Sequence, residues 1–125
     1  MRMTFTIPPS LNNRMYRNMR LTKEYRWWKT EAEQYVSDAF PDRKPDEERY
    51  AVRIYFYWGD NRRRDIDNFA KPILDAITES NRVWIDDCQV DQLLIYRESG
   101  SEDEVQMDPG TVLAVVSPVA DGPPF

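Results

Sequence analysis

The sequence predicts a small α/β (α+β) domain, with a mixed β-sheet of about four strands and two main helices in the order β-α-β-α-β-β. Apolar residues alternate with other residues through 50–58, and two other segments place apolar residues at steps of three and four. The chain has 125 residues, enough for one hydrophobic core but not for two. We therefore expect residues 1–125 to form a single domain in which the helices pack on the sheet.

The first half of the chain contains one strand and one helix. Residues 3–7, MTFTI, alternate apolar side chains with threonines, which is typical of a strand, and two prolines end it. Residues 10–21 have no clear period and predict an ordered loop. Thr22 is expected to cap a helix that ends near Phe40. The predicted apolar stripe of this helix consists of Tyr25, Trp28, Ala32, Tyr35, Val36 and Ala39.

The second half contains three strands and a shorter helix. The first strand has one apolar face, formed by Tyr50, Val52, Ile54, Phe56 and Trp58. Asn68 is expected to cap the helix, with Pro72 in or near its first turn. The apolar face of this helix consists of Phe69, Ile73, Ala76 and Ile77. Trp84 and Ile85 are expected to anchor the following turn in the core. Residues 91–98 and 111–118 predict the last two strands.

The composition excludes several classes of function. The chain has no histidine, so Ser–His and Cys–His nucleophile pairs and histidine-ligated zinc are excluded. Cys88 is the single cysteine, so no intrachain disulfide can form, and a reducing cytoplasm fits best. No apolar run approaches the length of a membrane span, and the N-terminus lacks the apolar core of a signal peptide. We expect a cytoplasmic protein with no membrane partner.

Charge is distributed unevenly along the chain. The net charge is −5, yet residues 1–30 contain seven Lys or Arg residues against one Glu. Residues 98–108 contain five acidic residues and no basic one. A phosphate backbone responds to a local basic surface rather than to the average charge. Charge alone therefore leaves two interpretations open, nucleic-acid binding and ordinary solvated surface.

Asp65 and Asp67 lie where a loop meets a helix, and Asp86-Asp87 follow about twenty residues later. If residues 65–67 are extended, the first two carboxylates point to the same side and repel each other unless a cation or a proton lies between them. Carboxylates of this kind favour Mg²⁺ or Mn²⁺, and the intervening helix is expected to fold the chain back to supply a third acid. Water activated by the cation is then the natural nucleophile.

Each of these residues also has an ordinary structural interpretation. Asp65 and Asp67 would bond backbone amides at the start of the helix, and Asp86-Asp87 would form a simple turn. Lys71 would pair with Asp75 four residues later on an exposed helix face. Arg62, Arg63 and Arg64 would form a solvated loop.

The whole stretch from residue 62 to residue 90, RRRDIDNFAKPILDAI through VWIDDCQV, resembles the RusA-type Holliday-junction resolvases, or crossover-junction endodeoxyribonucleases. The resemblance rests on a set of residues at matching spacing: Arg64, Asp65, Asp67, Asn68, Lys71, Asp75, Ala76, Asp86, Asp87, Gln89 and Val90. The N-terminal segment IPPSLNNRMYR is similar to the strand end and Asn-rich loop of the same family. Where family members often have a glycine before the Asp-Asp pair, this chain has Asn81, which tolerates the same left-handed conformation.

The resemblance implies a homodimer that cuts four-way or related branched DNA by Mg²⁺-dependent phosphodiester hydrolysis. It implies metal binding and catalysis by Asp65, Asp67 and Asp87, and an essential accessory role for Lys71. DNA contacts are expected from six residues: Arg62, Arg63, Arg64, Asn13, Arg14 and Arg17. A symmetric dimer would place two such sites on one roughly symmetric junction.

Two rival functions are considered, another enzyme and a protein that is not an enzyme. A haloacid-dehalogenase-like phosphatase also uses Asp-x-Asp, Lys and Asp-Asp, but there the lysine and second pair come much later on a larger doubly wound fold. The second rival is a protein with the resolvase fold that binds junctions or replication partners without cutting them. The presence of all three candidate ligand acids and of Lys71 favours the enzyme over this binding protein.

Overall fold

The structure, a computed structural model, describes residues 1–10, 22–98 and 108–121. In these ranges the elements follow the predicted order β-α-β-α-β-β, so the α+β class is confirmed. The strands are β1 (Arg2–Thr6), β2 (Tyr50–Tyr57), β3 (Val90–Arg97) and β4 (Thr111–Pro118), and the helices are α1 (Lys23–Ala39) and α2 (Asp67–Glu79). Short 3-10 turns at Asp87–Gln89 and Val119–Asp121 precede β3 and follow β4. Most of the predicted loop at 10–21 and most of the acidic segment 98–108 lie outside the described residues.

The sheet is mixed, as predicted, with strand order β1-β4-β2-β3. β4 pairs antiparallel with both β1 and β2, whereas β2 and β3 are parallel. Parallel neighbours need a crossover that runs back along the sheet, and α2 provides it. The loop that follows β2 and the turn that precedes β3 are therefore connected through one helix.

Both helices pack on the same face of the sheet. Four of the five positions predicted for the buried face of β2 are confirmed, because Tyr50, Val52, Ile54 and Phe56 are fully buried, whereas Trp58 lies beyond the end of the strand and is partly buried. Burying one such large apolar side chain contributes roughly 1.5–3 kcal/mol. Facing these residues across the core are the buried side chains of α1 (Trp28, Ala32 and Val36) and of α2 (Ala70, Ile73, Leu74, Ala76 and Ile77).

Helix α1 begins as predicted and differs from the prediction along its apolar stripe. The Thr22 Oγ1 atom accepts a hydrogen bond from the Tyr25 amide at 3.2 Å, which confirms the N-cap. Tyr35 is 40% exposed and Ala39 is exposed, so placing both on the buried stripe was wrong. The Tyr35 ring reaches past the edge of the sheet, where its hydroxyl accepts a hydrogen bond from Thr4 Oγ1 at 3.1 Å.

Helix α2 begins two residues earlier than predicted, because its N-cap is Ile66 and not Asn68. Asn68 is not the N-cap but lies in the first turn, where its amide donates to the Asp65 carbonyl at 3.0 Å. Ile66 precedes the helix with helical dihedral angles, φ −60° and ψ −30°. The segment from Asp65 to Asp67 is therefore not extended, so the prediction that both carboxylates point to the same side of an extended segment does not apply. Pro72 lies in the second turn, where it leaves the Asn68 carbonyl without its usual intrahelical donor.

The turn after α2 fits the sequence prediction at two of three positions. Asn81 has φ 61°, which confirms the left-handed conformation predicted there. Trp84 is fully buried, and its indole Nε1 donates to Thr78 Oγ1 at 2.6 Å. Ile85 is 55% exposed, so its predicted place in the core was wrong. Its amide donates to the Gln89 side chain, and the chain turns there toward the acidic pair.

Candidate active site

Lys71 connects helix α2 to the turn that carries the second acidic pair. Its Nζ atom lies 2.5 Å from Asp87 Oδ2 and 3.0 Å from Asp75 Oδ1. Hydrogen bonds from Lys71, first to Asp87 and then to Asp75, raise its pKa above the usual value of 10.5. The helix pair with Asp75 is therefore present, but Lys71 also makes the long-range contact with Asp87. Helix α2 thus brings Lys71 to Asp87, whereas the expected approach of Asp87 to Asp65 and Asp67 stays a prediction.

Asp86 and Asp87 have different surroundings in the turn. Asp86 is exposed and caps the 3-10 turn, where hydrogen bonds from Cys88 and from the turn amides lower the pKa of its carboxyl. Asp87 is half-buried and directs its carboxylate toward Lys71. The structure thus separates a turn-forming acid, Asp86, from an acid that contacts the candidate catalytic lysine.

Gln89 fixes the shape of this turn. Its side chain is 7% exposed, and its Oε1 accepts from the amides of Ile85 and Asp86 at 2.9 and 3.1 Å. Its Nε2 donates to the carbonyls of Asp46 and Glu48 at 2.9 and 2.8 Å. One buried amide thereby ties the acidic turn to the connector before β2.

Replacing Gln89 by Ala is expected to lower the free energy of unfolding by about 2 kcal/mol or more, because buried backbone groups lose their partners. Gln89→Glu keeps the shape but loses both donors, and it should also be destabilised. Urea unfolding measures the change, and Gln92→Ala, on an exposed face of β3, is the matched control. Equal stability of the Gln89 and Gln92 variants would contradict this role.

Asp65 and Asp67 lie at the beginning of α2, and both are exposed. Asp65 supplies the carbonyl that accepts from Asn68, and Asp67 is the first residue of the helix. Within the described ranges, no group of three His, Cys, Asp or Glu side chains is close enough to hold a metal ion. Asp65, Asp67 and Asp87 are thus not gathered around one point, and in this arrangement Asp87 contacts the ammonium of Lys71 instead. The metal-ligand assignment stays a prediction.

The donor set nevertheless suits a hard cation. Exposed or half-buried carboxylates at the ends of α2 and β3 offer oxygen ligands with room for water and phosphate oxygens around them. Asp87 already contacts a cationic group, the ammonium of Lys71. The residues therefore fit Mg²⁺ by their chemistry, although their side chains would have to come together to bind it.

The three arginines before Asp65 do not have equivalent surroundings. Arg64 forms a two-point ion pair with Asp60, at 2.5 and 3.1 Å, and its guanidinium lies 4.9 Å from the ring centre of Trp58. The hydrogen bond from Arg64, followed by that from the Arg62 amide, lowers the pKa of Asp60 to about 2. The side chains of Arg62 and Arg63 are exposed. Arg64 is therefore held within the loop, whereas the other two point outward.

Other predicted contact residues are distributed as follows. Asn13, Arg14 and Arg17 lie outside the described residues, so their DNA contacts stay predictions. Sequence reasoning missed Arg97, whose guanidinium lies 5.3 Å from the ring centre of Trp58 and donates to the loop carbonyls of Asp60 and Arg62. No sequence motif contains Arg97. It reaches the loop after β2 because β3 pairs in parallel with β2, so that the two strands end side by side.

In the part of the chain that the structure describes, no helix is both long and apolar enough to cross a bilayer. The described molecule is an α+β protein with acidic residues, a lysine and an arginine-rich loop grouped around the crossover helix of a mixed sheet. Comparison with known proteins shows which family has this combination. The family model for endodeoxyribonuclease RusA matches residues 6–111.

Individual relatives agree with the family match. The crossover junction endodeoxyribonuclease RusA of Shigella sonnei is 34% identical over 94 residues, which cover 70% of this chain and 73% of that protein. The protein of the same name from Escherichia coli shows the same identity and coverage. The chain belongs to the RusA endodeoxyribonuclease family.

Proposed function

We propose that this chain is a structure-specific endodeoxyribonuclease that resolves Holliday junctions or related branched DNA by Mg²⁺-dependent hydrolysis of phosphodiester bonds. The observation that carries the proposal is the contact of Lys71, on the crossover helix, with Asp87, in the turn before β3, in a chain of this family. Family membership supports the endonuclease class, and the names of the curated relatives support the junction as substrate. We propose that residues 1–125 act as one endonuclease domain.

Asp65, Asp67 and Asp87 would hold the metal ion, with Mn²⁺ a plausible substitute for Mg²⁺. When bound, the ion supplies Lewis-acid chemistry that lowers the pKa of water and offsets charge on the phosphate. Lys71 would add a positive charge beside the scissile phosphate and hold Asp87 in place between turnovers. Lys71 is protonated near neutral pH already at the ordinary pKa of a lysine, and its contacts with Asp87 and Asp75 raise that pKa, so it would serve as a cation rather than as a general base.

DNA would be held chiefly by the arginine-rich loop, residues 58–66. Arg62 and Arg63 are exposed and available to phosphates, and Arg64 would shape the loop in addition to contributing charge. Asn13, Arg14 and Arg17 would extend the contact surface. The acidic segment 98–108 would have to point away from the duplex, because its five carboxylates repel phosphates.

Paired cleavage of a four-way junction needs two active sites, and we propose a homodimer. The sheet face opposite the helices supplies a surface for it. Leu94 and Tyr96 on that face are 38% and 39% exposed, and the Tyr96 ring stacks on Tyr55 at 4.9 Å. With a single cysteine, the chain needs no oxidising compartment, and we propose that it acts on DNA in the cytoplasm.

Incubating the purified protein with a synthetic mobile four-way junction tests the proposal. We expect symmetric paired nicks with Mg²⁺ or Mn²⁺ and none with EDTA, while a linear duplex of the same sequence should be cut far more slowly. The absence of strand cleavage with either metal would overturn the enzyme function. Junction binding without cleavage would instead favour a protein with the resolvase fold that binds junctions without cutting them. The separation of Asp65 and Asp67 from Asp87 would then explain the lack of cleavage.

A further inference from the structure

Arg97 is the last residue of β3, and it closes a network around the arginine-rich loop. Its guanidinium donates to the carbonyls of Arg62 and Asp60, at 2.5 and 3.4 Å, and lies 5.3 Å from the ring centre of Trp58. Arg64 approaches the same ring from 4.9 Å and pairs with the Asp60 carboxylate. The side chain of an edge strand thus holds the backbone of the loop that leads to Asp65.

The network keeps two guanidinium groups near one indole ring, and this needs compensation because like charges repel. The Asp60 carboxylate neutralises Arg64, and the two loop carbonyls accept from Arg97. Both hydrogen bonds come from the Nη2 atom of Arg97, while the planar guanidinium lies over the Trp58 ring. A lysine at this position would keep the charge but lose the planar group that lies over the ring.

The position of Arg97 in the fold links the network to the candidate active site. β3 starts directly after the turn that carries Asp87, and it ends at Arg97. The loop held by Arg97 runs from the end of β2 to Asp65 and Asp67 at the start of α2. One strand is therefore attached at one end to the acid that contacts Lys71 and at the other end to the loop that presents the remaining acids.

We propose that Arg97 is a positioning residue for cleavage: it holds the loop at residues 58–66 against β3, so that Asp65 and Asp67 are presented to the metal ion and the scissile phosphate. The inference rests on the proposed function and adds to it a residue that contacts neither metal nor DNA. Without Arg97, the loop samples more conformations, and binding a metal ion between its acids and Asp87 costs more ordering entropy.

Arg97→Ala and Arg97→Lys test the proposal beside Arg2→Ala, which removes the same charge from β1 at the opposite edge of the sheet. Arg97→Ala should raise the Mg²⁺ concentration for half-maximal cleavage by about tenfold, the scale seen for residues that orient metal ligands. Junction affinity without metal should stay within about twofold of the wild type. Hydrogen exchange of the amides in 59–68 should speed up in Arg97→Ala, with Arg97→Lys intermediate and Arg2→Ala unchanged.

The alternative is that Arg97 contacts a DNA phosphate directly. In that case Arg97→Ala would weaken metal-free junction binding and reduce its salt dependence, Arg97→Lys would restore both, and amide exchange would not change. That pattern, or an unchanged metal requirement in Arg97→Ala, would overturn the inference. If the wild type cuts no junction, the proposed function fails, and the exchange rates alone decide whether Arg97 holds the loop.

Discussion

Asp87→Asn is expected to abolish junction cleavage while junction binding persists or becomes tighter. The amide has the shape of the carboxylate and still offers an oxygen to Lys71 Nζ, so the local structure should be kept. It loses the negative charge that a divalent cation requires, and removing one electrostatic group of this kind costs at least ~10²-fold in rate. Binding should not suffer, because a negative charge beside the DNA phosphates is lost.

Cleavage of a labelled junction and a separate binding titration without metal measure the two effects. Asp67→Asn is expected to behave in the same way. Asp91→Asn is the matched control, because it makes the same chemical change at a residue outside the candidate site. Asp91 lies four residues after Asp87 and pairs with Arg49 at the surface. If binding fell in step with cleavage, or if the Asp87 variant unfolded at a much lower temperature than the control, the acids would be structural.

Lys71→Ala is expected to slow turnover by ~10²-fold or more without unfolding the chain. The rate effect follows from losing a positive charge beside the phosphate. The effect on stability should be small, because the Lys71 side chain is 46% exposed and exposed ion pairs contribute about 0–1 kcal/mol. Lys71→Met removes the charge but keeps an apolar stem and should be as slow as Lys71→Ala, whereas Lys71→Arg should recover part of the rate.

The contact of Lys71 with Asp87 and Asp75 predicts how the stability and the cleavage rate depend on pH. Asp87 and Asp75 raise the pKa of Lys71, so the stabilising contact is fully present below the unfolded pKa of 10.5 and is lost as the pH rises through the folded value. The ratio of wild-type to Lys71→Met cleavage rates should therefore be flat from about pH 6 to 9. A ratio that rose through neutral pH would indicate a general base, and a large loss of melting temperature would favour a purely structural helix pair.

The sequence was sufficient where one physical rule dominated. Alternation identified the buried face of β2, and an oxygen-bearing side chain before an apolar stripe identified the start of α1 at Thr22. The left-handed conformation of Asn81 could be predicted because asparagine is one of the few residues besides glycine that tolerate it. At these positions local preference and burial favour the same structure, so no knowledge of distant contacts was needed.

Prediction failed where a distant contact decided the outcome. Ile85 looks like a core residue, yet its backbone amide donates to the buried side chain of Gln89, and the Ile85 side chain is exposed. Asn68 looks like a helix cap, yet it lies in the first turn of α2, where its backbone amide donates a hydrogen bond to the Asp65 carbonyl. Arg64 looks like a phosphate contact, and its pairing with Asp60 became visible only with the loop in place. The grouping of Asp65 and Asp67 with Asp87 stays a prediction, because carboxylates repel one another and spacing along the chain does not show whether they converge.

The crossover helix also governs how the chain tolerates changes in length. α2 is the covalent link between the loop at residues 58–66 and the turn of Asp87, and Lys71 lies one turn after Asp67. Each added or deleted residue in a helix rotates everything beyond it by about 100°. A single insertion between Asp67 and Lys71 would turn Asp65 and Asp67 away from Lys71 and Asp87, because the last two lie on the same side of the insertion and keep their contact. We therefore expect related chains to vary in composition along α2 far more readily than in the number of residues it contains.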